Sequence, residues 1–348
     1  MSDAKVVTGL DPARIRSGLE EWFSRRGTDD ATVSLLPGPQ ATGYSHETIV
    51  FDLTHDGRTQ RLIARVEPGE VSVFPTPNLN IEYRLLEAIA PDGITLPKLH
   101  DFESNAVFLG RPFYVMEHIA GEVPSDTPPY TFMGWLHEAT PAVRESVWWS
   151  GLEAMSKVHQ VDWKARDLGF IVGDRPEGLA GEFEYWRTYG EFCGGLAVVA
   201  ERALDWVIAN APADTDVALC WGDSRLGNQM FSDGRCVALL DWEMATLSDP
   251  VEDLAWFIYF DELYSGGSHL EGFPGRAPTI ARYEELTGAE VRNFEYFYVL
   301  AAFRFTAIMQ RLGTLMIEAG KLPADSTFPS ENFASEHLAK LCEEKGIR

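Results

Sequence analysis

The sequence is poor in cysteine, in positive charge and in long apolar runs. Its four cysteines (Cys193, Cys220, Cys236 and Cys342) show no short paired spacing, which disfavours a zinc site or a disulfide framework and predicts buried free thiols. Lysine and arginine number 29 against 53 aspartate and glutamate residues, so the formal net charge is −24. Because a phosphate backbone or an anionic bilayer is bound by a basic face, we expect neither nucleic acid nor membrane as a partner.

No run of about 18 apolar residues is long enough to span a bilayer, and Met1 leads into no apolar segment of the signal-peptide type. We therefore expect a cytoplasmic protein. The chain has 348 residues, of which 45% are hydrophobic, and it shows no internal repeat. This composition suits two packed domains or one two-lobed unit.

Two segments hold the residue types that phosphoryl transfer needs. Residues 221–228 read Trp-Gly-Asp-Ser-Arg-Leu-Gly-Asn, and residues 239–243 read Leu-Leu-Asp-Trp-Glu. Asp223 is a candidate base, while Asn228 and Asp241 offer oxygen ligands to a hard divalent cation. An isolated match of this spacing is expected about once by chance in a chain of this length.

The surrounding sequence favours an active site over a chance match. Residues 217–220 and 236–240 have the pattern of short buried strands, and residues 232–235 carry a hairpin-turn signal. Asp223 and Asn228 then lie on a loop after one strand, and Asp241 follows the last apolar residue of another. We expect the three side chains to converge.

Together with the run Ser-Asp-Pro-Val-Glu-Asp-Leu-Ala-Trp at 248–256, these residues resemble the aminoglycoside phosphotransferase and choline kinase-like family. The branch associated with acyl-CoA dehydrogenases is the most similar. The resemblance implies that Asp223 orients or deprotonates an acceptor hydroxyl and that Asn228 and Asp241 hold Mg²⁺. Asp249 and Asp253 are expected to brace the loop. The family usually has His where this chain has Trp221, so the hydrogen bonds of that His must be replaced or absent.

The same resemblance extends upstream to residues that would bind ATP. Arg65, in the strand pattern of residues 62–66, resembles the cation that contacts the nucleotide phosphates, with an exposed strand arginine as the alternative. Glu82, in a helical pattern over 81–89, resembles the glutamate that pairs with this cation, and Glu87 on the same helix is its competitor.

Two further segments are assigned to the nucleotide. The turn that contains Gly43 and Ser45 resembles the hairpin that covers the phosphates. The alternative interpretation of this segment is an ordinary hairpin turn. Residues 111–121 resemble the strand and hinge between two lobes, where backbone groups of Glu117 and Ile119 would contact adenine.

The implied fold is an α+β, two-lobed protein kinase-like fold. Residues 1–117 would form a nucleotide-binding N-lobe with an antiparallel sheet, and residues 118–348 a mostly helical C-lobe with the catalytic loop, metal and acceptor sites. Amphipathic patterns predict further helices, the first capped by Asp11 and stopped by Gly27. These helices span 11–27, 147–161, 183–189, 196–208, 279–286, 294–316 and 332–342.

The acceptor is indicated only by two aromatic clusters, which either wall a pocket or pack in the core. They comprise Tyr130, Phe132, Met133, Trp135 and Leu136, and Tyr185, Trp186 and Tyr189. A pocket would favour a hydroxylated apolar or acyl-type molecule. We expect an ATP and Mg²⁺-dependent O-phosphotransferase acting on a small-molecule hydroxyl. The alternatives are a kinase-like nucleotide-binding scaffold without turnover, an aminoglycoside-type antibiotic kinase, and transfer of a nucleotidyl group.

Overall fold

The computed structural model describes residues 11–37, 46–69, 71–266 and 269–348. The chain divides into two compact units. The first comprises Met1–Glu87 and Pro97–Ile119, and the second comprises Ala88–Leu96 and Ala120–Arg348.

The first unit is built on a five-stranded antiparallel sheet with the strand order β1-β2-β3-β5-β4. The strands are β1 (Thr32–Leu35), β2 (Glu47–His55), β3 (Arg58–Val66), β4 (Leu99–Glu103) and β5 (Phe113–Glu117). The turn between β2 and β3 is formed by Asp56 and Gly57, both with positive φ, as a two-residue hairpin turn requires.

Two helices accompany this sheet, α1 (Pro12–Ser24) and α2 (Leu79–Ile89). The side chain of Asp11 caps α1 by accepting a hydrogen bond from the amide of Ala13 over 3.1 Å. The apolar face of α1 is buried with the inward residues of β2, β3 and β5 in one hydrophobic core. This face consists of Ile15, Leu19, Trp22 and Phe23.

The second unit is mostly helical. Its helices are α3 (Trp135–Glu138), α4 (Pro141–His159), α5 (Leu179–Phe192), α6 (Val198–Ala209), α7 (Val251–Ser265), α8 (Arg276–Thr287), α9 (Phe294–Glu318) and α10 (Phe333–Lys345). Two antiparallel strand pairs complete it, β6 (Ala218–Cys220) with β9 (Thr246–Ser248) and β7 (Gln229–Ser232) with β8 (Arg235–Leu239).

The antiparallel sheet and the helical second unit confirm the α+β prediction. Each predicted helix is present, and the 232–235 hairpin turn is formed by Asp233 and Gly234 with positive φ. Helix α7 was not predicted, because its first eleven residues are all buried and leave no one-sided apolar pattern. Among the described residues, no helix combines the length and apolarity needed to cross a bilayer.

Candidate active site

The loop that follows β6 is held by a carboxylate of helix α7. The two oxygens of Asp253 accept hydrogen bonds from the backbone amides of Trp221 (2.6 Å) and Gly222 (2.9 Å). The hydroxyl of Ser224 donates to the backbone carbonyl of Asp253 over 2.8 Å. Asp253 also contacts the imidazole of His159 at 3.0 Å. The contacts agree with the bracing role expected of Asp253, and they give His159 a structural role.

Asp249 has a similar structural role at the start of α7. Its carboxylate accepts hydrogen bonds from the amides of Val251 (2.9 Å) and Asp216 (3.0 Å). The first of these bonds satisfies an amide in the first turn of α7, and the second fixes the chain ahead of β6.

Gly222 allows the loop to turn sharply before Asp223. Its φ is +91°, a conformation that strongly favours glycine. A Cβ at this position would lie 2.0 Å from the carbonyl oxygen of Met244. Both the turn and the close packing beneath it therefore require glycine.

Trp221 occupies the position at which the family that this chain resembles usually has His. It is fully buried and connects the two motif segments. Its indole Nε1 donates to the carbonyl oxygen of Leu240 over 3.0 Å. The amide of Leu240 donates to the carbonyl oxygen of Asn228 over 2.9 Å. The loop of residues 221–228 is thus hydrogen bonded to the residue that immediately precedes Asp241.

Asp223 lies at the centre of a set of hydrogen-bond donors. Its Oδ2 accepts from Asn228 Nδ2 at 2.6 Å. Its Oδ1 accepts from Arg225 Nε at 2.9 Å and from Trp256 Nε1 at 2.8 Å. The structure therefore brings Asp223 and Asn228 into direct contact.

Arg225, Asp126 and Trp256 belong to this site but were not among the predicted site residues. The guanidinium of Arg225 contacts Asp126 as well as Asp223. Burial lowers the pKa of Arg225, but the two carboxylates outweigh burial and raise that pKa well above its ordinary value, so Arg225 stays charged. Arg225 could have been suspected from its place two residues after Asp223. Asp126 lies in a segment of loop pattern, and no sequence signal pointed to it.

The residues at the predicted metal site fit a magnesium ion. Asn228 Nδ2 donates to the carbonyl and to the carboxylate of Asp223, so the amide Oδ1 is left as the group that could bind a cation. Asp241 follows β8 with a left-handed φ of +60°, which aspartate tolerates better than most residues. The described residues contain no cluster of three His, Cys, Asp or Glu that could hold a metal. Magnesium is commonly held by one or two carboxylates together with substrate phosphates and water, so the oxygen donors of Asp241 and Asn228 are of the chemical type that such a site uses.

In the first unit, Arg65 of β3 pairs with Glu82 of α2 at 3.5 Å. Glu82 is buried and also contacts His46 at 3.1 Å and the hydroxyl of Tyr114 at 2.6 Å. Burial acts to raise the pKa of Glu82, but Arg65 and His46, with help from Tyr114, outweigh it and lower that pKa to about 2. The competitor Glu87 is exposed and accepts a hydrogen bond from Tyr83 instead.

The remaining predicted nucleotide contacts are described only in part. At the end of β5 the amide of Glu117 donates to the Lys98 carbonyl (2.9 Å), and the amide of His118 donates to the Arg61 carbonyl (3.2 Å). Adenine would therefore have to be read by the carbonyl of Glu117 and by backbone groups of Ile119. Gly43 and Ser45 lie outside the described residues.

The two aromatic clusters divide between core and surface. Tyr130, Leu136, Trp186 and Tyr189 are buried in the core. Phe132 and Met133 are exposed, by 67% and 53% respectively. The hydroxyl of the neighbouring Thr131 donates to the carbonyl of Tyr264 in α7 over 2.7 Å.

A sequence model described as the phosphotransferase enzyme family matches residues 39–286, which is most of the chain and includes both motif segments. The chain belongs to the phosphotransferase enzyme family. Its membership confirms the resemblance on which the kinase-like fold and the phosphotransferase activity were predicted. The match covers residues from both units.

Curated relatives are longer proteins. The chain is 25% identical over 296 residues to acyl-CoA dehydrogenase family member 10 of Mus musculus, with 79% of this chain and 27% of that protein covered. It is 27% identical over 320 residues to acyl-CoA dehydrogenase family member 11 of Rattus norvegicus, with 86% and 39% covered. The chain thus spans between a quarter and two fifths of these relatives.

Solved structures share the fold with this phosphotransferase family member. A Ralstonia eutropha protein provisionally classed as an aminoglycoside phosphotransferase has a TM-score of 0.69 at 22% identity, with 94% of this chain and 95% of that one covered. The ethanolamine kinase of Plasmodium vivax has a TM-score of 0.57 at 12% identity, with 91% and 83% covered. These likenesses confirm the two-lobed kinase-like fold.

Proposed function

We propose that the protein transfers the γ-phosphoryl group of ATP to a hydroxyl group of a small molecule, with Mg²⁺ as the cofactor. The observation that carries this proposal is the carboxylate of Asp223, which is fixed by Asn228 on one oxygen and by Arg225 and Trp256 on the other. A carboxylate held so firmly is suited to align an acceptor hydroxyl for in-line attack.

In this reaction the acceptor oxygen forms a bond to the γ-phosphorus while the bond from that phosphorus to the β,γ-bridging oxygen breaks. ADP leaves, and the hydroxyl proton passes to Asp223. Because proton loss is late in a loose transition state, Asp223 contributes through alignment at least as much as through basicity.

We assign ATP and Mg²⁺ to the residues that the family resemblance indicated. In the first unit, Arg65 contacts the nucleotide phosphates, and Glu82 keeps its guanidinium in place. In the second unit, Asn228 and Asp241 would hold Mg²⁺, which would neutralise phosphate charge. The backbone groups of Glu117 and Ile119 contact adenine, and Gly43 and Ser45 are assigned to the nucleotide from the family resemblance alone.

We further propose that the acceptor is a hydroxylated acyl-type molecule. The names of the curated relatives refer to acyl-CoA dehydrogenases, and this chain matches only part of each of them. The exposed side chains of Phe132 and Met133 also support an acyl-type acceptor. They lie only six and seven residues after Asp126 in the sequence, and Asp126 contacts Arg225. An apolar chain would be covered by such side chains more readily than a polycationic sugar.

The experiment is an acceptor screen with ATP and Mg²⁺, read by product mass. The panel contains hydroxyacyl thioesters, free hydroxy fatty acids, amino alcohols and aminoglycosides. We expect hydroxyacyl compounds to gain one phosphate and Asp223→Asn to abolish the gain. A gain of AMP would instead indicate nucleotidyl transfer. Phosphorylation of aminoglycosides alone would contradict the acyl acceptor while leaving phosphoryl transfer in place.

A further inference from the structure

Helix α7 holds the catalytic loop at two levels. Asp253 accepts hydrogen bonds from the loop backbone at Trp221 and Gly222. Three residues later along the same helix, Trp256 reaches the side chain of Asp223, with its indole Nε1 2.8 Å from Oδ1. Residues three apart share a face of a helix, so one face of α7 fixes both the backbone and the carboxylate of the loop.

The indole of Trp256 is itself tightly held. The residue is 1% exposed. Its ring lies 5.0 Å from the ring of Phe260 and 6.3 Å from that of Phe305, and the guanidinium of Arg304 lies 4.8 Å from its centroid. A donor with so many packing contacts cannot readily turn away from Asp223.

The donors are distributed unequally over the two oxygens of Asp223. Oδ1 accepts two N–H groups, from Trp256 and Arg225, which fill its two in-plane lone pairs. Oδ2 accepts from the side chain of Asn228, which leaves it one further lone pair. Only Oδ2 has capacity left for an acceptor hydroxyl.

We infer that Trp256 is a positioning residue for phosphoryl transfer, which together with Arg225 reserves Oδ1 of Asp223 for holding the carboxylate and presents Oδ2 to the acceptor. This inference rests on the proposed function. An indole N–H can donate but cannot accept a proton, so Trp256 orients the carboxylate without competing for the acceptor's proton.

The test compares Trp256→Phe with the matched control Trp148→Phe. Trp148 is equally buried in the same unit, and its indole donates to the hydroxyl of Thr279 over 2.9 Å, away from Asp223. Both variants lose one N–H group and keep an aromatic ring. We expect Trp256→Phe to lower kcat about 10- to 100-fold with the KM for ATP unchanged, and Trp148→Phe to leave kcat unchanged.

A second measurement tests the contact between Trp256 and Asp223 without depending on turnover. In a proton–nitrogen correlation spectrum, the indole signal missing from Trp256→Phe identifies Trp256, and this signal should move in Asp223→Ala. The positioning role of Trp256 would be overturned if this signal did not move. It would also be overturned if the wild type were active and the two tryptophan variants had equal kcat values. Neither result would contradict the proposed function. A wild type inactive with every acceptor would contradict the proposed function, and the positioning role would fall with it.

Discussion

The indole nitrogen of Trp221 donates a hydrogen bond to the carbonyl oxygen of Leu240 over 3.0 Å. The resembled family usually has His at this position, and the sequence left open whether the hydrogen bonds of that His are replaced. In this protein the indole at that position donates one hydrogen bond, to Leu240. Through it the catalytic loop is connected to the segment that carries Asp241.

Replacing Trp221 by Phe should weaken this connection. We expect Trp221→Phe to remain folded, with a loss of about 1–3 kcal/mol from the missing hydrogen bond and the smaller ring. Turnover should fall about tenfold, and the Mg²⁺ concentration needed for half-maximal rate should rise because Asp241 is held less firmly relative to Asn228. Steady-state kinetics at varied Mg²⁺ measures this change. An unaltered Mg²⁺ requirement would show that the hydrogen bond has no part in the metal site.

The Gly222→Ala variant tests whether a steric clash adds to the backbone strain at this position. Its control is Gly194→Ala, because Gly194 also has a positive φ (+76°) but a Cβ there would meet no heavy atom within 4 Å. We expect Gly194→Ala to cost about 1 kcal/mol, while Gly222→Ala costs more and abolishes turnover, since the new Cβ meets the Met244 carbonyl. Denaturant unfolding followed by circular dichroism compares them. Equal losses of stability would contradict the predicted clash.

Glu82→Gln should reveal the lowered pKa of Glu82. That pKa is about 2 in the folded protein against an ordinary value of 4.5, so the ionised carboxylate contributes stability at pH values above about 4.5 and loses it as the pH falls toward 2. We expect Glu82→Gln to be less stable than the wild type by about 3 kcal/mol at pH 7, with a difference that narrows below pH 4.5.

Thermal unfolding from pH 7 to pH 3 measures this difference, with Glu87→Gln as the control on the same helix. Glu87 is exposed and does not pair with Arg65, so its variant should match the wild type throughout. A gap between Glu82→Gln and the wild type that stays constant with pH would contradict the ionised, paired state of Glu82.

The contact between the two central residues of the candidate site could be predicted from the sequence because they are close together in the chain. Asp223 and Asn228 belong to one loop, and local turn and strand signals placed them together. Trp256 and Asp126 were not accessible in the same way. They reach Asp223 and Arg225 from positions 33 and 99 residues away, and such contacts depend on how α7 and the 120–130 segment pack.

The helices and strands were likewise predictable where the signal is local in the sequence and not where it depends on distant contacts. Helices with one buried apolar face, such as α1 and α6, follow from their sequence periodicity. The first eleven residues of helix α7, Val251–Asp261, are all buried, carboxylates included, so no one-sided apolar periodicity marks it. The pairing of β6 with β9 was also not predicted, since it joins strands separated by the whole catalytic loop.

The most direct test of the proposed donor site is calorimetric titration of ATP, with and without Mg²⁺, into the wild type, Asp241→Asn and Asp233→Asn. Asp233 has a left-handed φ of +50°, close to the +60° of Asp241, and asparagine tolerates this conformation, so both variants should fold. We predict Mg²⁺-dependent ATP binding to the wild type and to Asp233→Asn, and its loss in Asp241→Asn. Mg²⁺-dependent binding that survives in Asp241→Asn, or no ATP binding by the wild type, would contradict the proposed site.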